Sequence, residues 1–276
     1  MRERARAWRA GGERIGLVPT MGNLHGGHLD LVDRLAGEVD RLVVSIFVNP
    51  LQFGPDEDYD SYPRTLASDL AALEGRGVDA VFAPTAREMY PGAEPPATGI
   101  DVPALTGTLC GASRPGHFAG VAVVVVKLLN IVEPDVAIFG RKDYQQLQVV
   151  RRVVHDLDLP VAIRDGPVVR EADGLALSSR NSYLTPEQRR RAPALYATLR
   201  ELAAALEGGR RDWAALEAQG RERLLAAGFD AVDYVAVRRC EDLAEPRGDE
   251  ARLVCLGAAY LGGARLIDNV EALRGA

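Results

Sequence analysis

Residues 14–36 read RIGLVPTMGNLHGGHLDLVDRLA, and this stretch joins the pattern of a strand to the pattern of a helix. Its first six residues form a short apolar run that ends at a proline, and a glycine-rich turn follows. Residues 28–36 then place apolar side chains at helical spacing. A buried strand that turns directly into a helix is a building unit of parallel sheets, so this stretch predicts an α/β fold.

The alternation of strands and helices continues through the first half of the chain. Further short buried strands are predicted at residues 41–48, 78–83 and 135–139. Helices are predicted at residues 63–74 and 142–157. Strands that alternate with helices through short loops imply a parallel sheet with helices on both faces, and we assign this sheet to an N-terminal domain of residues 1–168.

Residues 120–132, GVAVVVVKLLNIV, fit two kinds of secondary structure. Four consecutive valines favour a strand, whereas the length of the segment and its apolar residues at i, i+3 and i+4 favour a buried helix. We favour the helix, because a crossover must join the parallel strands on either side.

The pattern changes near residue 168. Residues 185–188, TPEQ, have the threonine N-cap, the proline at the first helical position and the glutamine at the third that are typical of a helix start. One long helix is predicted from there to about Glu207, and a second from Asp212 to about Ala226. Strands are predicted at residues 233–237, 252–260 and 264–268, the last two as a hairpin. We therefore expect a smaller α+β C-terminal domain of residues 169–276.

The composition excludes several classes of protein. The 276 residues are 47% hydrophobic and 26% charged, which is typical of a folded protein rather than a disordered one. A formal net charge of −6 argues against a surface that binds nucleic acid. Cys110, Cys240 and Cys255 are far apart, odd in number and in no C-x-x-C pair, which argues against a zinc ribbon and a disulfide framework. Because no secretory signal or apolar run long enough to cross a membrane is evident, we expect a soluble, cytoplasmic protein.

The turn after the first strand is the first candidate site. His25 and His28 lie at i and i+3 in the first turn of the predicted helix, and therefore on one face of it. Gly26 and Gly27 allow a nucleotide to approach the backbone closely, and a helix N-terminus attracts anions. One alternative is an ordinary glycine-rich turn with two surface histidines. A second alternative is a metal site, but the segment lacks the glutamate of H-E-x-x-H and no third ligand is evident.

Three other segments carry polar groups at strand ends or at the domain boundary. In FGRKDYQQ, residues 139–146, Lys142 is placed to contact phosphate oxygens and Asp143 to contact ribose hydroxyls. Alternatively, Asp143 only interacts favourably with the dipole of the helix that starts there. LSSR, residues 177–180, is either a phosphate clamp or a polar interdomain loop. NPLQF, residues 49–53, follows the second strand and taken alone is an ordinary loop. We expect all these segments at one crevice, at the carboxyl ends of the parallel strands.

Six segments together closely resemble the pantoate–β-alanine ligase (pantothenate synthetase) family, in the family's order and spacing. They are residues 19–28, 47–53, 62–64, 114–120, 139–147 and 170–184. The H-x-G-H element alone is shared with the wider nucleotidyltransferase superfamily. The resemblance implies a Rossmann-like parallel sheet and an ATP-dependent condensation of pantoate with β-alanine through a pantoyl-adenylate, with release of AMP and pyrophosphate. It also implies magnesium as cofactor and a homodimer. The charge and the lack of a long apolar run predict no nucleic acid and no membrane as partner.

The resemblance also assigns roles to individual residues. ATP binding is assigned to Met21, Gly22, Asn23, Leu24, His25, Gly26, Gly27, His28, Gly140, Arg141, Lys142, Asp143, Val169, Leu177, Ser178, Ser179 and Arg180. Catalysis is assigned to His28, as proton donor, and to His25, Lys142, Ser178 and Arg180. Pantoate binding is assigned to Gln52 and Gln146, with Gln52 also near β-alanine, and a place near magnesium to Asp69.

The chain departs from the family pattern at four positions, three of them assigned to ATP binding and one next to Asp69. Ser68 replaces the usual acidic neighbour of Asp69. Arg141 stands where glutamate or glutamine is common, Gly26 where glutamate is common, and Leu177 where methionine is usual.

An acyl-adenylate hydrolyses readily, so a covering loop is expected. The polar segment GPDEDYDSY, residues 54–62, lies next to Gln52 and is our candidate for this lid. Two other functions stay open: another nucleotidyltransferase of the same superfamily, which would form no amide, and a catalytically inactive nucleotide-binding protein. A tRNA synthetase is disfavoured by the acidic balance of charge. Release of AMP and pyrophosphate that depends on the amine would distinguish these functions.

Overall fold

The structure is a computed structural model, and it describes residues 1–55, 57–92 and 98–273. Contacts between Cα atoms group the chain into two compact units. The first unit consists of Met1–Arg141 and Gln146–Pro167, and the second of Lys142–Gln145 together with the chain from Val168 onward. Among the described residues, no helix combines the length and the apolar character that a membrane crossing requires.

Five parallel strands form the sheet of the first unit. They are β1 (Ile15–Thr20), β2 (Arg41–Ile46), β3 (Ala80–Phe82), β4 (Val136–Gly140) and β5 (Ala162–Gly166). Their order in the sheet is β3-β2-β1-β4-β5, the Rossmann order, and this confirms the predicted fold class. Strands β2 and β3 lie on one side of β1, and the chain then crosses to the other side to form β4 and β5. The strand order therefore reverses between β1 and β4. Ligands bind parallel sheets outside the carboxyl ends of the strands at such a reversal.

Helices surround this sheet. They are α1 (Arg2–Ala10), α2 (Gly26–Ala36), α3 (Leu66–Leu73), α4 (Ala86–Met89), α5 (Pro103–Thr106), α6 (Cys110–Ser113), α7 (His117–Val132) and α8 (Tyr144–Asp156). The segment of residues 120–132 is confirmed as a helix, the greater part of α7. The predicted helix of residues 142–157 starts later than expected, because a 3-10 turn, Arg141–Asp143, precedes α8. The predicted helix of residues 63–74 is also shorter, since α3 begins at Leu66.

The two faces of the sheet have separate cores. Successive side chains of a strand point to opposite faces, and neighbouring residues of β1 and β2 accordingly join different clusters. Leu17 and Val43 pack with the valines of α7, whereas Val18 and Val44 pack with α2. The prediction of helices on both faces is thereby confirmed.

The second unit contains an antiparallel sheet of three strands in the order β6-β7-β8. The strands are β6 (Ala231–Arg239), β7 (Arg252–Leu261) and β8 (Ala264–Leu273), and the predicted hairpin joins β7 to β8. Its helices are α9 (Pro186–Arg191), α10 (Ala194–Glu207) and α11 (Trp213–Ala226). The prediction of one long helix up to Glu207 is wrong. The helix is interrupted before Pro193, whose ring and missing N–H disfavour a helix interior.

Candidate active site

The turn between β1 and α2 carries two histidines whose rings lie against each other at a tilt of 30°. His25 is the N-cap of α2, and its Nδ1 accepts a hydrogen bond from the Gly27 N–H at 3.1 Å. The Nδ1 of His28 accepts one from the His25 N–H at 3.3 Å, and the two ring centroids are 4.1 Å apart. An Nδ1 that accepts leaves the proton of a neutral imidazole on Nε2. These contacts favour, in both rings, the tautomer that carries its proton on Nε2.

The glycine-rich half of this turn is held by a buried carboxylate. Asp69 of α3 is 2% exposed and accepts the backbone N–H groups of Asn23 at 3.0 Å and Leu24 at 2.8 Å. Gly22 has a φ of +82°, and a Cβ there would come within 3.0 Å of Asp69 Oδ2, so a side chain at this position would strain the turn. Asp69 therefore determines the path of the chain just before His25.

The hydrogen bonds of Asp69 within the protein argue against its acting as a direct magnesium ligand. Besides the two N–H groups, the Thr65 hydroxyl lies 3.2 Å from each of its oxygens, so three hydrogen-bond donors already contact this carboxylate. The Ser68 hydroxyl donates to the Thr65 carbonyl at 2.9 Å. Within residues 1–55, 57–92 and 98–273, no three histidine, cysteine, aspartate or glutamate side chains cluster closely enough to hold a metal ion.

Gln52 lies in the same unit, in a 3-10 turn that follows β2. Its side chain is 8% exposed, and its Nε2 lies 2.8 Å from the Sδ of Met21. The structure thus brings a predicted pantoate residue against the first residue of the predicted ATP segment. Helix α7 packs closely on this turn at Gly120, where a Cβ would lie only 2.0 Å from the Leu51 carbonyl oxygen. Only glycine permits that approach.

Two residues near Gln52 had no role assigned from the sequence. The Gln52 carbonyl oxygen accepts hydrogen bonds from Arg114 Nη2 at 3.2 Å and from His117 Nδ1 at 2.7 Å. Because a carbonyl only accepts, the Nδ1 of His117 carries a proton, and Arg114 Nη1 lies 2.9 Å from its Nε2. Both residues belong to the RPGHFAG element quoted for the family resemblance, which was the one available signal.

Arg114 also contacts the candidate lid. Its guanidinium binds both carboxylate oxygens of Glu57 at 2.6 Å. Burial raises the pKa of Glu57, but the hydrogen bonds and positive charge of Arg114 outweigh it, so that this pKa lies below its ordinary value. The rings of Tyr59 and Tyr62 pack edge-on against Phe53. Asp56 of the candidate lid lies outside the described residues, and the lid role stays a prediction.

At the end of β4 the structure places Gly140 and Arg141. The Arg141 guanidinium pairs with Asp165, which also binds Arg151. Burial raises the pKa of Asp165, but the two guanidinium groups lower it below its ordinary value, so Asp165 stays ionised and balances the charge of Arg141. Gln146 is half-buried in the first full turn of α8.

The remaining predicted residues belong to the second unit. Lys142 is half-buried, its Nζ lies 3.8 Å from Asp143, and its carbonyl oxygen accepts a hydrogen bond from Asn269 Nδ2 at 3.0 Å. The N–H of Leu177 donates to the Val169 carbonyl at 2.9 Å, which ties these two predicted ATP residues together.

Ser178 is the N-cap of the 3-10 turn Ser179–Tyr183. Its hydroxyl accepts the N–H of Arg180 at 3.3 Å. This cap orders the backbone of the predicted phosphate clamp. Cys110, Cys240 and Cys255 are buried free thiols.

A sequence model of pantoate–β-alanine ligases matches residues 1–271. The chain belongs to the pantoate–β-alanine ligase family. Among curated members, the pantothenate synthetase of Halorhodospira halophila is 82% identical over 272 residues, which cover 99% of this chain and 95% of that protein. The enzyme of Alkalilimnicola ehrlichii is 60% identical over 264 residues, covering 96% and 92%. The resemblance drawn from the motifs is confirmed.

Solved structures of pantoate–β-alanine ligases share the fold. The pantothenate synthetase of Thermus thermophilus superposes with a TM-score of 0.89 at 48% identity, covering 96% of each chain. The pantoate–β-alanine ligase of Francisella tularensis, solved in complex with beta-gamma ATP and β-alanine, gives a TM-score of 0.79 at 33% identity, covering 97% and 94%.

Proposed function

We propose that this chain condenses pantoate with β-alanine through a pantoyl-adenylate, with ATP as the adenylyl donor. The observation that carries the proposal is the pair of adjacent histidines at the N-terminus of α2. They lie in the turn after β1, and the first residue of that turn, Met21, contacts Gln52. A helix N-terminus with two imidazole N–H donors suits the phosphates of a nucleotide. Membership of the pantoate–β-alanine ligase family supports the choice of acid and amine.

In the first step, a carboxylate oxygen of pantoate attacks the α-phosphorus of ATP. A bond forms between that oxygen and the α-phosphorus, the bond from the α-phosphorus to the oxygen that bridges to the β-phosphorus breaks, and pyrophosphate leaves. The protein's part in such a transfer is to hold the reactants in line and to balance the negative charge that develops. We assign this work to the Nε2–H groups of His25 and His28, and contacts with the departing pyrophosphate to Lys142, Ser178 and Arg180.

In the second step, the neutral amine of β-alanine attacks the acyl carbon of the adenylate. The new carbon–nitrogen bond forms, the carbon–oxygen bond to AMP breaks, and the proton that the nitrogen loses passes to solvent. Activation is required because a free carboxylate has no good leaving group. Gln52 and Gln146 hold the pantoate hydroxyls, since an amide both donates to and accepts from a hydroxyl.

Three further features of the proposal rest on the family alone. Magnesium enters with the phosphates of ATP as part of the substrate, the enzyme is a homodimer, and it works in the cytoplasm, where ATP is available. Light scattering of the purified protein measures the oligomeric state.

The proposal is tested by omitting β-alanine. With ATP, magnesium and pantoate, we expect about one equivalent of pyrophosphate per active site, followed by a stall with the adenylate retained. Pyrophosphate release that requires β-alanine from the outset would contradict an adenylate-first reaction. Continued release without amide formation on addition of β-alanine would instead identify another nucleotidyltransferase.

A further inference from the structure

A chain of buried hydrogen bonds runs from Tyr90 to Gln52. The Tyr90 hydroxyl donates to Asn49 Oδ1 at 2.7 Å, and Asn49 Nδ2 donates to Gln52 Oε1 at 3.2 Å. Tyr90 is 4% exposed, Asn49 1% and Gln52 8%. Tyr90 follows α4, far from Gln52 in sequence, and it has no part in the function proposed above.

Two backbone groups determine which way the Asn49 amide faces. The Gly120 carbonyl, 3.1 Å from Nδ2, can only accept, and the Leu51 N–H, 3.3 Å from Oδ1, can only donate. The amide group of Asn49 therefore presents its NH₂ to Gln52. Gln52 accepts this hydrogen bond through Oε1, so its own NH₂ faces the other way, towards Met21 Sδ. A thioether is a weak acceptor, so this NH₂ is the donor that a ligand oxygen can engage.

We propose that Tyr90 is a positioning residue for the acid substrate, anchoring Asn49 and, through it, the side-chain amide of Gln52. The inference rests on the proposed function, in which Gln52 holds pantoate. The Tyr90 hydroxyl supplies the shorter of the two hydrogen bonds to Asn49 Oδ1. Without it, Asn49 Oδ1 keeps only the longer bond from Leu51. The backbone groups still set which way the Asn49 amide faces, but the side chains of Asn49 and Gln52 are held less firmly in place.

The position of the Tyr90 ring does not depend on its hydroxyl. The ring packs against Phe47, with centroids 6.1 Å apart, and Lys127 Nζ lies 5.5 Å from the Tyr90 centroid. Both contacts survive replacement by phenylalanine. Tyr90→Phe thus removes the hydrogen bond while keeping the packing.

The experiment is a double-mutant cycle with Tyr90→Phe and Gln52→Ala, in which KM is measured separately for pantoate and for ATP. Loss of one hydrogen bond predicts a rise of about three- to tenfold in the pantoate KM of Tyr90→Phe, with the ATP KM within about twofold of wild type. In the Gln52→Ala background, Tyr90→Phe should raise the pantoate KM no further, because the amide through which it acts is gone. Tyr260→Phe, which removes the same hydroxyl from a tyrosine on β7 in the second unit, is the matched control.

The possible results distinguish a role of Tyr90 through Gln52 from other roles. An equal rise for pantoate and ATP, no rise for pantoate, or the same rise in both backgrounds would show that Tyr90 does not act through Gln52. If Gln52→Ala alone leaves the pantoate KM unchanged, the assignment of Gln52 to pantoate fails and the inference fails with it. A pyrophosphate burst that persists in that variant would show that the adenylate mechanism itself survives. Should Tyr90→Phe melt below the assay temperature, Asn49→Asp, which cannot donate to Gln52 Oε1, replaces it in the same cycle.

Discussion

The carboxylate of Asp69 accepts the backbone N–H of Leu24 at 2.8 Å and so ties α3 to the turn before α2. The same carboxylate accepts the N–H of Asn23 at 3.0 Å. Two residues with left-handed backbone, Gly22 and Asn23, make this turn unusual, and the hydrogen bonds to Asp69 hold it in place. A residue that the family resemblance places near magnesium thus has a structural role in this chain.

Asp69→Ala should lower both stability and activity. The half-buried N–H groups of Asn23 and Leu24 lose their acceptor, and about 1–3 kcal/mol for each group is the upper bound, which applies to a fully buried one. Thermal unfolding and kcat/KM for ATP measure the two effects. Asp69→Asn should leave the magnesium concentration for half-maximal activity unchanged, and Ser68→Ala serves as control. A shifted magnesium requirement with unaltered melting would instead identify Asp69 as a metal ligand.

His28→Ala should slow adenylate formation by roughly 10²–10³-fold. This is the usual cost of removing one hydrogen-bond donor that acts on the transition state. His155→Ala is the control, since His155 is an exposed residue of α8 that contacts Asp156. Single-turnover adenylate formation is the measurement. Equal effects at His28 and His155 would refute a special role for the N-terminus of α2.

Lys142→Arg should lose most of the activity, to within about tenfold of Lys142→Ala. An ammonium is a compact charge on a flexible stem, whereas a guanidinium prefers a fixed bidentate geometry. The chain has only two lysines, Lys127 and Lys142, against 31 arginines, which suggests that an ammonium is required at Lys142.

The matched control for Lys142→Arg is Lys127→Arg. It should be less damaging, because a guanidinium also stacks over the face of Tyr90. Adenylate formation in a single turnover is compared across the three variants. A near wild-type rate for Lys142→Arg would show that only the charge matters.

The ion pair between Glu57 and Arg114 should make stability depend on pH in acid. Because the folded pKa of Glu57 lies below its ordinary value of 4.5, the pair stabilises the protein above that pH. The stabilisation is lost as the pH falls through the lower folded pKa. The difference in Tm between wild type and Glu57→Gln should therefore be constant from about pH 5.5 to 7 and shrink below about pH 4.5. Glu222→Gln, at an exposed position of α11, is the control, and a difference that grows in acid would contradict the assignment.

Local patterns in the sequence determined most of the fold. The apolar run of β1, the glycine-rich turn and the spacing of apolar residues in α2 are patterns among residues close in sequence. They can therefore be recognised without knowledge of the rest of the chain. The same signals placed His25 and His28 in one helical turn. Strand β5 was missed because it lies at an edge of the sheet and only its last residue, Gly166, is buried, so it lacks an apolar run.

Only the tertiary structure decided the contacts that hold the site. Asp69 reaches Leu24 across 45 residues, Tyr90 reaches Asn49 across 41, and Arg114 reaches Glu57 across 57. No periodicity links residues so far apart, because each pair meets through the packing of whole elements around the sheet. The sequence by itself therefore determined which side chains are available at the strand ends. Their hydrogen-bond partners, and with them the tautomer of each histidine and the direction of each amide, follow from the packed structure.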